Sequence, residues 1–169
     1  PYPRLFARYK RRLDPLFDEL PALLPRNRDP ANILDLGCGY GVPACWMARR
    51  YPKAFIHGID PQAEQVRVAN LALGNHGAVV QGAAPDLPPT DVLLDLATML
   101  DMSHYLEDWA LEKTLERIHA RLMPGGRLIM RSVLPRTDTP HWTWYLENLK
   151  LRLKGMRACY RNADAIETF

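Results

Sequence analysis

The feature that most restricts the fold is an apolar run that ends in regularly spaced glycines, ILDLGCGYG at residues 33–41. The run ILDL has the length and composition of a short buried strand. Gly37, Gly39 and Gly41 follow at every second position, and glycine tolerates positive φ angles and lets a ligand approach the backbone closely. Small and apolar residues over 42–50 then predict a helix. The stretch therefore predicts a strand, a tight ligand-facing turn and a helix.

Strand and helix patterns alternate along the chain, which predicts a doubly wound, Rossmann-like α/β fold. We expect a mostly parallel sheet with helices on both faces, in a single domain over residues 1–169. An N-terminal helical segment, residues 1–26, is expected to be one helix or two that meet at Pro15. Trp109 is expected on the inward face of its helix. The predicted strands are 32–36, 54–59, 78–82, 95–100 and 127–134, and the later helices are 42–50, 61–73, 106–122 and 140–154.

The composition is that of a globular domain, with 47% hydrophobic and 24% charged residues in a chain of 169. No apolar run is long enough to cross a bilayer. The three cysteines (Cys38, Cys45 and Cys159) are scattered and have neither zinc-site spacing nor the pattern of a disulfide framework. We therefore expect no metal and a reducing, cytoplasmic location.

Basic residues are concentrated in two acid-free stretches, 4–12 and 150–161, although the net charge is only +3. Solvated helix faces explain such stretches most simply. The alternatives are contact with phosphate, with an acidic partner or, peripherally through these basic flanks, with an anionic membrane surface. The chain has no zinc pattern and no interleaving of arginine with aromatic residues, so we expect no nucleic-acid partner.

Two acidic residues near the glycines indicate the kind of ligand. Asp60 ends the second predicted strand, where a carboxylate can accept hydrogen bonds from both hydroxyls of a ribose; it is also expected to cap the following helix. Asp35 precedes the glycines and would repel a pyrophosphate but attract a cation. No Lys-Ser/Thr pair follows, as a P-loop requires, and the G-x-G-x-G spacing differs from the dinucleotide fingerprint. A cationic ligand that contains a ribose is favoured.

Four segments resemble class I S-adenosylmethionine-dependent methyltransferases, and together they extend along nearly the whole chain. ILDLGCGYG (33–41) is similar to the family's first motif and HGIDP (57–61) to its ribose site. DLATMLDMSHYL (95–106) is similar to the fourth-strand motif, and RLMPGGRLIMRSVL (121–134) to the helix end, turn and fifth strand. The resemblance implies the doubly wound fold and S-adenosylmethionine as cofactor.

The resemblance also implies a set of cofactor contacts. Asp35 and the backbone of Gly37 and Gly39 would face the methionine part, and Asp60 would hold the ribose, with Pro61 or Gln62 along the adenine. The complete implied set is Asp35, Gly37, Cys38, Gly39, Asp60, Pro61, Gln62, Ala83, Ala84 and Asp101.

The chain departs from the family pattern in two places. GAAPDLP (82–88) has Ala83 where the family often has an acid that accepts from the adenine amino group. Losing one such hydrogen bond weakens cofactor binding by on the order of 1 kcal/mol. The backbone of Ala83 and Ala84 can still frame the adenine, and Asp86 is an alternative partner. The family's strands six and seven find no counterpart after residue 134, so we expect a sheet without them and a truncated chain.

Methyl transfer from a sulfonium requires alignment of the acceptor and exclusion of water, with a base where the acceptor is a hydroxyl. His104 and Asp101 are the candidate catalytic residues, although a histidine here can equally be packed at a helix start. The candidate substrate-binding residues are Tyr105, His141, Trp142 and Tyr145. The apolar face and basic flank of HWTWYLENLKLRLKGM (141–156) suit an apolar acceptor with an acidic group, although such a stripe is also typical of a core.

The sequence thus predicts an S-adenosylmethionine-dependent methyltransferase that acts on a small-molecule acceptor. The alternative is a non-catalytic methyltransferase-like module that binds S-adenosylmethionine and is associated with, or fused to, another protein. Asp35 and the glycine spacing disfavour a third class, the nicotinamide-dependent oxidoreductases.

Overall fold

The structure, a computed structural model, describes residues 2–25, 28–133 and 158–168. Its helices are α1 (Tyr2–Leu13), α2 (Leu16–Leu23), α3 (Val42–Arg50), α4 (Ala63–Leu73), α5 (Asp108–Arg121) and α6 (Ala163–Glu167). Its strands are β1 (Asn32–Leu36), β2 (Phe55–Asp60), β3 (Gly77–Gln81), β4 (Leu94–Leu100) and β5 (Leu122–Arg131).

The five strands form one parallel sheet in the order β3-β2-β1-β4-β5. β1 and β4 lie inside the sheet, and every residue of β4 is buried. This burial on both faces explains why these strands are continuous apolar runs rather than alternating ones. The predicted fold class is confirmed, and within the described ranges the sheet has five strands.

Helices cover both faces of the sheet and form two cores. On one face, α2, α3 and α4 contribute apolar residues such as Leu20, Met47 and Leu73, which pack with Ile33 of β1. On the other face, residues of α5 pack against strand residues such as Met99. None of the helices in the described part of the chain has the length and apolar character needed to cross a bilayer.

The N-terminal segment forms two helices, which settles the alternative left open by Pro15. α1 ends at Leu13 and α2 begins at Leu16. Pro15 has no N–H to continue the ladder of α1, and the Asp14 carboxylate accepts a hydrogen bond from Leu16 N (3.0 Å). The break therefore places Asp14 at the corner between the two helices.

β5 begins earlier than expected, because MPGG does not separate it from α5. Leu122 pairs with Leu94 and Arg127 with Leu96, so the residues between Leu122 and Arg127 bulge out of the ladder. Gly125 within the bulge has a φ of 80°, an angle that glycine adopts without strain.

The expected inward position of Trp109 is wrong, because its side chain is 63% exposed and its indole N–H donates to Glu107 (3.0 Å). The buried face of α5 contains Leu111 and Ile118. Trp109 precedes Leu111 by two residues, which is a rotation of about 200° around a helix. The expected helix over 140–154 lies outside the described residues.

Candidate functional site

The carboxyl ends of β1, β2 and β4 meet at one edge of the sheet. β1 is the point where the strand order reverses, because β2 lies on one side of it and β4 on the other. In open α/β sheets, ligands bind in the crevice that opens at such a position. The glycines at 37, 39 and 41 follow β1 directly and occupy this edge.

Residues 37–41 form a tight turn, called here the glycine turn. Gly37 N and Cys38 N both donate to Ile59 O (2.9 and 3.2 Å), which ties the turn to the end of β2. Gly37 and Gly39 have φ angles of 70° and 56°. A Cβ on Gly37 would lie 3.0 Å from two side-chain atoms of Met102. The turn therefore requires glycine, both for its backbone angles and for this close approach.

Asp60 lies at the end of β2 and is held by the backbone of the turn. One carboxylate oxygen accepts from Gly39 N and the other from Gln62 N, both at 2.9 Å. Gln65, with its amide oriented to satisfy its neighbours, donates to the same carboxylate (3.1 and 3.3 Å). A carboxylate has about four acceptor sites, so Asp60 is fixed in orientation and retains capacity for a ligand hydroxyl.

The expectation that Asp60 caps α4 is wrong in detail. α4 begins at Ala63, and Gln62 occupies the N-cap position. The bond from Gln62 N to Asp60 is a local turn made before the helix starts. Asp60 is thereby directed across to Gly39 and the glycine turn.

Asp35 is the most unusual acidic residue of the site, since it is only 1% exposed. Oδ1 accepts from Thr98 Oγ1 of β4 (2.8 Å), whereas Oδ2 is buried and makes no hydrogen bond of ordinary geometry with a described residue. Burial raises the pKa of Asp35 to about 7, against the opposing effect of the Thr98 hydrogen bond and with a further rise from the charge of Asp60. The backbone N–H of Ala44 in α3 also acts on this carboxyl and lowers its pKa. A buried carboxylate of this kind favours a cationic partner.

The other implied cofactor residues surround this edge. Pro61 and Gln62 are exposed at the start of α4, Ala83 is exposed, and Ala84 is half-buried in the loop after β3. Cys38 is buried in the core, and burial raises the pKa of its thiol far above the ordinary value. Cys38 therefore packs as a small apolar residue.

Asp86, the alternative partner for the adenine, faces another group. Its carboxylate accepts from Arg117 Nη1 of α5 (2.5 Å), in an exposed ion pair. The side chain is therefore engaged on the α5 side of the loop rather than directed to the end of β3.

The β4–β5 side of the site is held by a cluster of charges. Asp101 follows β4 in a left-handed conformation (φ 59°), which is uncommon for a residue other than glycine. Its carboxylate accepts from Arg131 Nε at the end of β5 (2.7 Å). Arg131 also donates to both oxygens of Asp14 (2.6 and 2.9 Å), and Lys10 Nζ lies 3.2 Å from Asp14 and 3.7 Å from Asp101. This charge cluster joins the α1–α2 corner to the ends of β4 and β5.

His104 and Tyr105 lie in a short 3₁₀ turn, Ser103–Tyr105, that follows Asp101. His104 is buried, with 5% of the residue exposed. It lies against the rings of Tyr105 (centroids 4.0 Å apart) and Tyr160 (5.5 Å apart). The structure thus places His104 within packed aromatic groups, and its role as a base stays a prediction.

Three of the candidate substrate residues, His141, Trp142 and Tyr145, lie outside the described residues. The segment that resumes at 158 returns to the site, because Cys159 N donates to His104 O (2.7 Å). Arg161 of this segment donates to the backbone oxygens of Ser103 (3.1 Å) and Leu106 (2.7 Å). The turn that carries Tyr105 is thereby fixed from the C-terminal side.

Sequence reasoning did not identify Gln65, Thr98 or Arg131 as parts of the site. Arg131 had a detectable signal, because a cation at the carboxyl end of the apolar strand RLIMR requires an anionic partner. Its partner Asp14 is distant in the sequence, so the sequence does not indicate the ion pair between Arg131 and Asp14. Within the described ranges, no group of three His, Cys, Asp or Glu side chains is arranged to hold a metal ion.

Comparison with known proteins identifies a family for this arrangement. The profile of the family described as "Methyltransferase domain" matches residues 33–126. This range is more than half of the chain, and it includes the glycine turn, Asp35, Asp60 and the loop after β4.

Two curated relatives with similar sequences are named as methyltransferases. The chain is 28% identical over 148 residues to the fatty-acid O-methyltransferase of Mycolicibacterium smegmatis, covering 80% of this chain and 52% of that protein. It is 33% identical over 137 residues to the trans-aconitate 2-methyltransferase of an Azoarcus species, covering 77% and 51%. The chain thus spans about half the length of these relatives.

Among solved structures, an S-adenosylmethionine-dependent methyltransferase from Mesorhizobium loti shares the fold, with a TM-score of 0.74 and 20% identity. The match covers 93% of this chain and 79% of that one. The resemblance noted in the sequence is confirmed by the family profile, and the chain belongs to the methyltransferase domain family.

Proposed function

We propose that the chain binds S-adenosylmethionine at the carboxyl ends of β1 and β2 and transfers its methyl group to a small acidic molecule. The observation that carries the first part is the buried Oδ2 of Asp35, which makes no hydrogen bond of ordinary geometry with a described residue. A carboxylate in this position is stabilised by a proton or by a cation. It lies next to a turn whose glycines leave the backbone accessible, and this arrangement fits the positively charged cofactor.

The residues of the site then have separate roles. S-adenosylmethionine supplies a methyl group that is activated by the positive charge on its sulfur. Asp60, which Gly39 N and Gln62 N hold in one orientation, accepts from a ribose hydroxyl. Asp35 balances positive charge on the methionine part. Met102, in the loop that follows β4, packs against Gly37 and helps to exclude water from the glycine turn.

The relatives support an acidic acceptor. A fatty acid and trans-aconitate, the compounds in the names of the two relatives, are both carboxylic acids. A carboxylate is already ionised at neutral pH, so its methylation requires alignment with the methyl donor and no general base. This chemistry agrees with a His104 that is packed against two tyrosine rings.

Calorimetric titration tests the cofactor. We expect S-adenosylmethionine and S-adenosylhomocysteine to bind with micromolar affinity and NADH not to bind. Binding of NADH in place of both sulfur compounds would contradict the proposal. The full-length protein is the sample.

Turnover tests the acceptor class. Purified protein is incubated with labelled S-adenosylmethionine and either a fatty acid or the alcohol of equal chain length, and methyl esters and ethers are quantified. If the acceptor is an acid, only the methyl ester forms. His104→Gln should then lower kcat by less than about threefold. Loss of a general base would instead lower kcat by about 10²–10⁴-fold. Cofactor binding without transfer to any acid would instead support the non-catalytic module.

A further inference from the structure

Helix α1 combines basic and apolar side chains on a surface that the described residues leave exposed. α1 contains no acidic residue in its first turn and ends in Lys10, Arg11 and Arg12. Leu5 and Leu13 are each more than half exposed. An isolated helix with this composition would be amphipathic, and its apolar side would normally be buried.

The inner face of α1 is already engaged with the protein. The Phe6 ring lies 5.6 Å from the ring of Tyr40 in the glycine turn, and Lys10 pairs with Asp14 and Asp101. These contacts fix which side of the helix faces the site. They leave exposed the flank of the helix that contains Leu5, Tyr9 and Leu13, which lies about 80° around the helix axis from the engaged side.

The outer face, called here the docking face, consists of Leu5, Arg8, Tyr9, Arg12 and Leu13. Leu5, Tyr9 and Leu13 recur every four residues and lie along one line of the helix. Arg8 and Arg12 border this line, and the first four of these side chains line a shallow depression of about 210 Å³. Apolar and cationic groups thus share one continuous surface.

The arginines of α1 indicate the kind of partner. Arg4, Arg8, Arg11 and Arg12 are exposed, and none of them has an ion pair with another residue in the described part of the chain. A second copy of the chain is a poor partner, because an isologous contact would bring acid-free arginine faces together. An anionic bilayer offers negative headgroups for the arginines and an apolar layer for the leucines.

We propose that the docking face of α1 binds the surface of an anionic lipid bilayer. The helix lies in the plane of the headgroups, with Leu5, Tyr9 and Leu13 inserted and the arginines at the level of the phosphates. Because the inner face contacts the glycine turn, docking holds the carboxyl edge of the sheet close to the membrane. The proposal does not depend on which acceptor is methylated.

Vesicle flotation with the full-length protein tests the proposal. The protein should float with phosphatidylcholine vesicles that contain phosphatidylglycerol, but not with pure phosphatidylcholine, and raised salt should weaken the binding. The double variant Arg8→Gln/Arg12→Gln should bind about 25-fold more weakly. The double variant Leu5→Ser/Leu13→Ser should bind about tenfold more weakly, because less apolar area is inserted.

Matched controls come from exposed residues on other elements. Leu71 on α4 is 73% exposed, against 72% for Leu13, so Leu71→Ser tests the loss of an equally exposed leucine. Arg49→Gln/Lys53→Gln removes two exposed charges that do not belong to α1. Both controls should bind vesicles as the unchanged protein does, and thermal melting should show that every variant is folded.

Three results would overturn the proposal. They are failure to float with anionic vesicles, binding that is indifferent to phosphatidylglycerol, and controls that weaken binding as much as the α1 variants. Light scattering adds a fourth, because a dimer that Leu5→Ser/Leu13→Ser converts to a monomer would show that a second copy covers the docking face.

Discussion

The two sides of the site are held together by different kinds of contact. On the β1–β2 side, backbone N–H groups of Gly39 and Gln62 hold the Asp60 carboxylate. On the β4–β5 side, the Arg131 guanidinium holds Asp14 of the α1–α2 corner, together with the carboxylate that follows β4. One side depends on the path of the main chain and the other on side chains from distant segments.

This difference indicates which side tolerates change. The backbone contacts of the glycine turn require positive φ angles at Gly37 and Gly39, so few sequences can make them. An ion-pair cluster can be rebuilt from other residues at modest cost, since partly exposed pairs contribute little each. We therefore expect the β1–β2 side to determine cofactor affinity and the β4–β5 side to determine local stability.

The largest expected effect is on the backbone-held side. Asp60→Ala removes the acceptor of a ribose hydroxyl and also leaves Gly39 N and Gln62 N without their partner. One charge-assisted hydrogen bond contributes about 1.5–3 kcal/mol, so affinity for S-adenosylhomocysteine should fall about 10- to 100-fold. Calorimetric titration measures the change.

Asp60→Asn is the matched variant, because its side-chain oxygen still accepts from a backbone N–H. Its affinity should fall less than that of Asp60→Ala. An Asp60→Ala protein that is folded and binds the cofactor with unchanged affinity would refute the assignment of the ribose to this carboxylate.

The same comparison explains how much of the molecule the sequence predicted. The parallel sheet, the helices on both faces and the turn at 37–41 followed from local periodicity and glycine spacing. Asp35 and Asp60 were recognised because they lie close to the glycines or at a strand end. Their surroundings were only partly foreseen, since the Thr98 contact to Asp35 joins neighbouring strands that are distant in sequence.

The β4–β5 side was not predicted because its contacts are non-local. Arg131 and Asp14 are separated by 117 residues, and no local pattern connects them. The predicted inward position of Trp109 was wrong for a different reason. An amphipathic pattern contains more apolar residues than one helix face can bury. The bulge before Arg127 also escaped prediction, because Pro-Gly-Gly ordinarily indicates a turn.

The second effect, of moderate size, tests the charge cluster. Arg131→Met leaves Asp14 and Asp101 without their main cation, in positions where the side chains are partly buried. The free energy of unfolding should fall by about 1–2 kcal/mol, between the values for exposed and buried pairs. Cofactor affinity should change less than about threefold. Denaturant unfolding and calorimetric titration measure the two quantities.

The pH dependence of this effect has a defined sign. Hydrogen bonds from Arg131 hold the pKa of Asp14 well below its ordinary value, so the resulting stability is present above about pH 4 and is lost as the pH falls further. The difference between Arg131→Met and the unchanged protein should therefore shrink in acid. Asp86→Ala, which breaks the exposed pair with Arg117, is the control and should cost less than about 1 kcal/mol.

The third effect concerns Asp35, whose buried carboxyl has a pKa raised to about 7 by desolvation, with Asp60 raising and Lys10 lowering it. A cationic ligand binds the ionised form, so cofactor affinity should increase about tenfold from pH 6 to pH 8. Without cofactor, the stability of the protein depends on pH in the opposite direction. The raised pKa contributes stability below about pH 4 that is lost as the pH rises through about 7.

Asp35→Asn, which has no titrating group, should abolish both dependences. Titrations in buffers of different ionisation enthalpy should show proton release on binding near pH 6. An affinity that is constant between pH 6 and pH 8 would contradict a cation site at Asp35.

The smallest expected effect is a gain on the backbone-held side. Ala83 occupies an exposed position in the loop after β3, and Ala83→Asp adds an acceptor for the adenine amino group. One added hydrogen bond should strengthen S-adenosylhomocysteine binding about fivefold. Ala83→Leu offers no acceptor and should give no gain. With S-inosylhomocysteine, which lacks the amino group, the advantage of Ala83→Asp should vanish; an equal gain with both ligands would place the adenine away from Ala83.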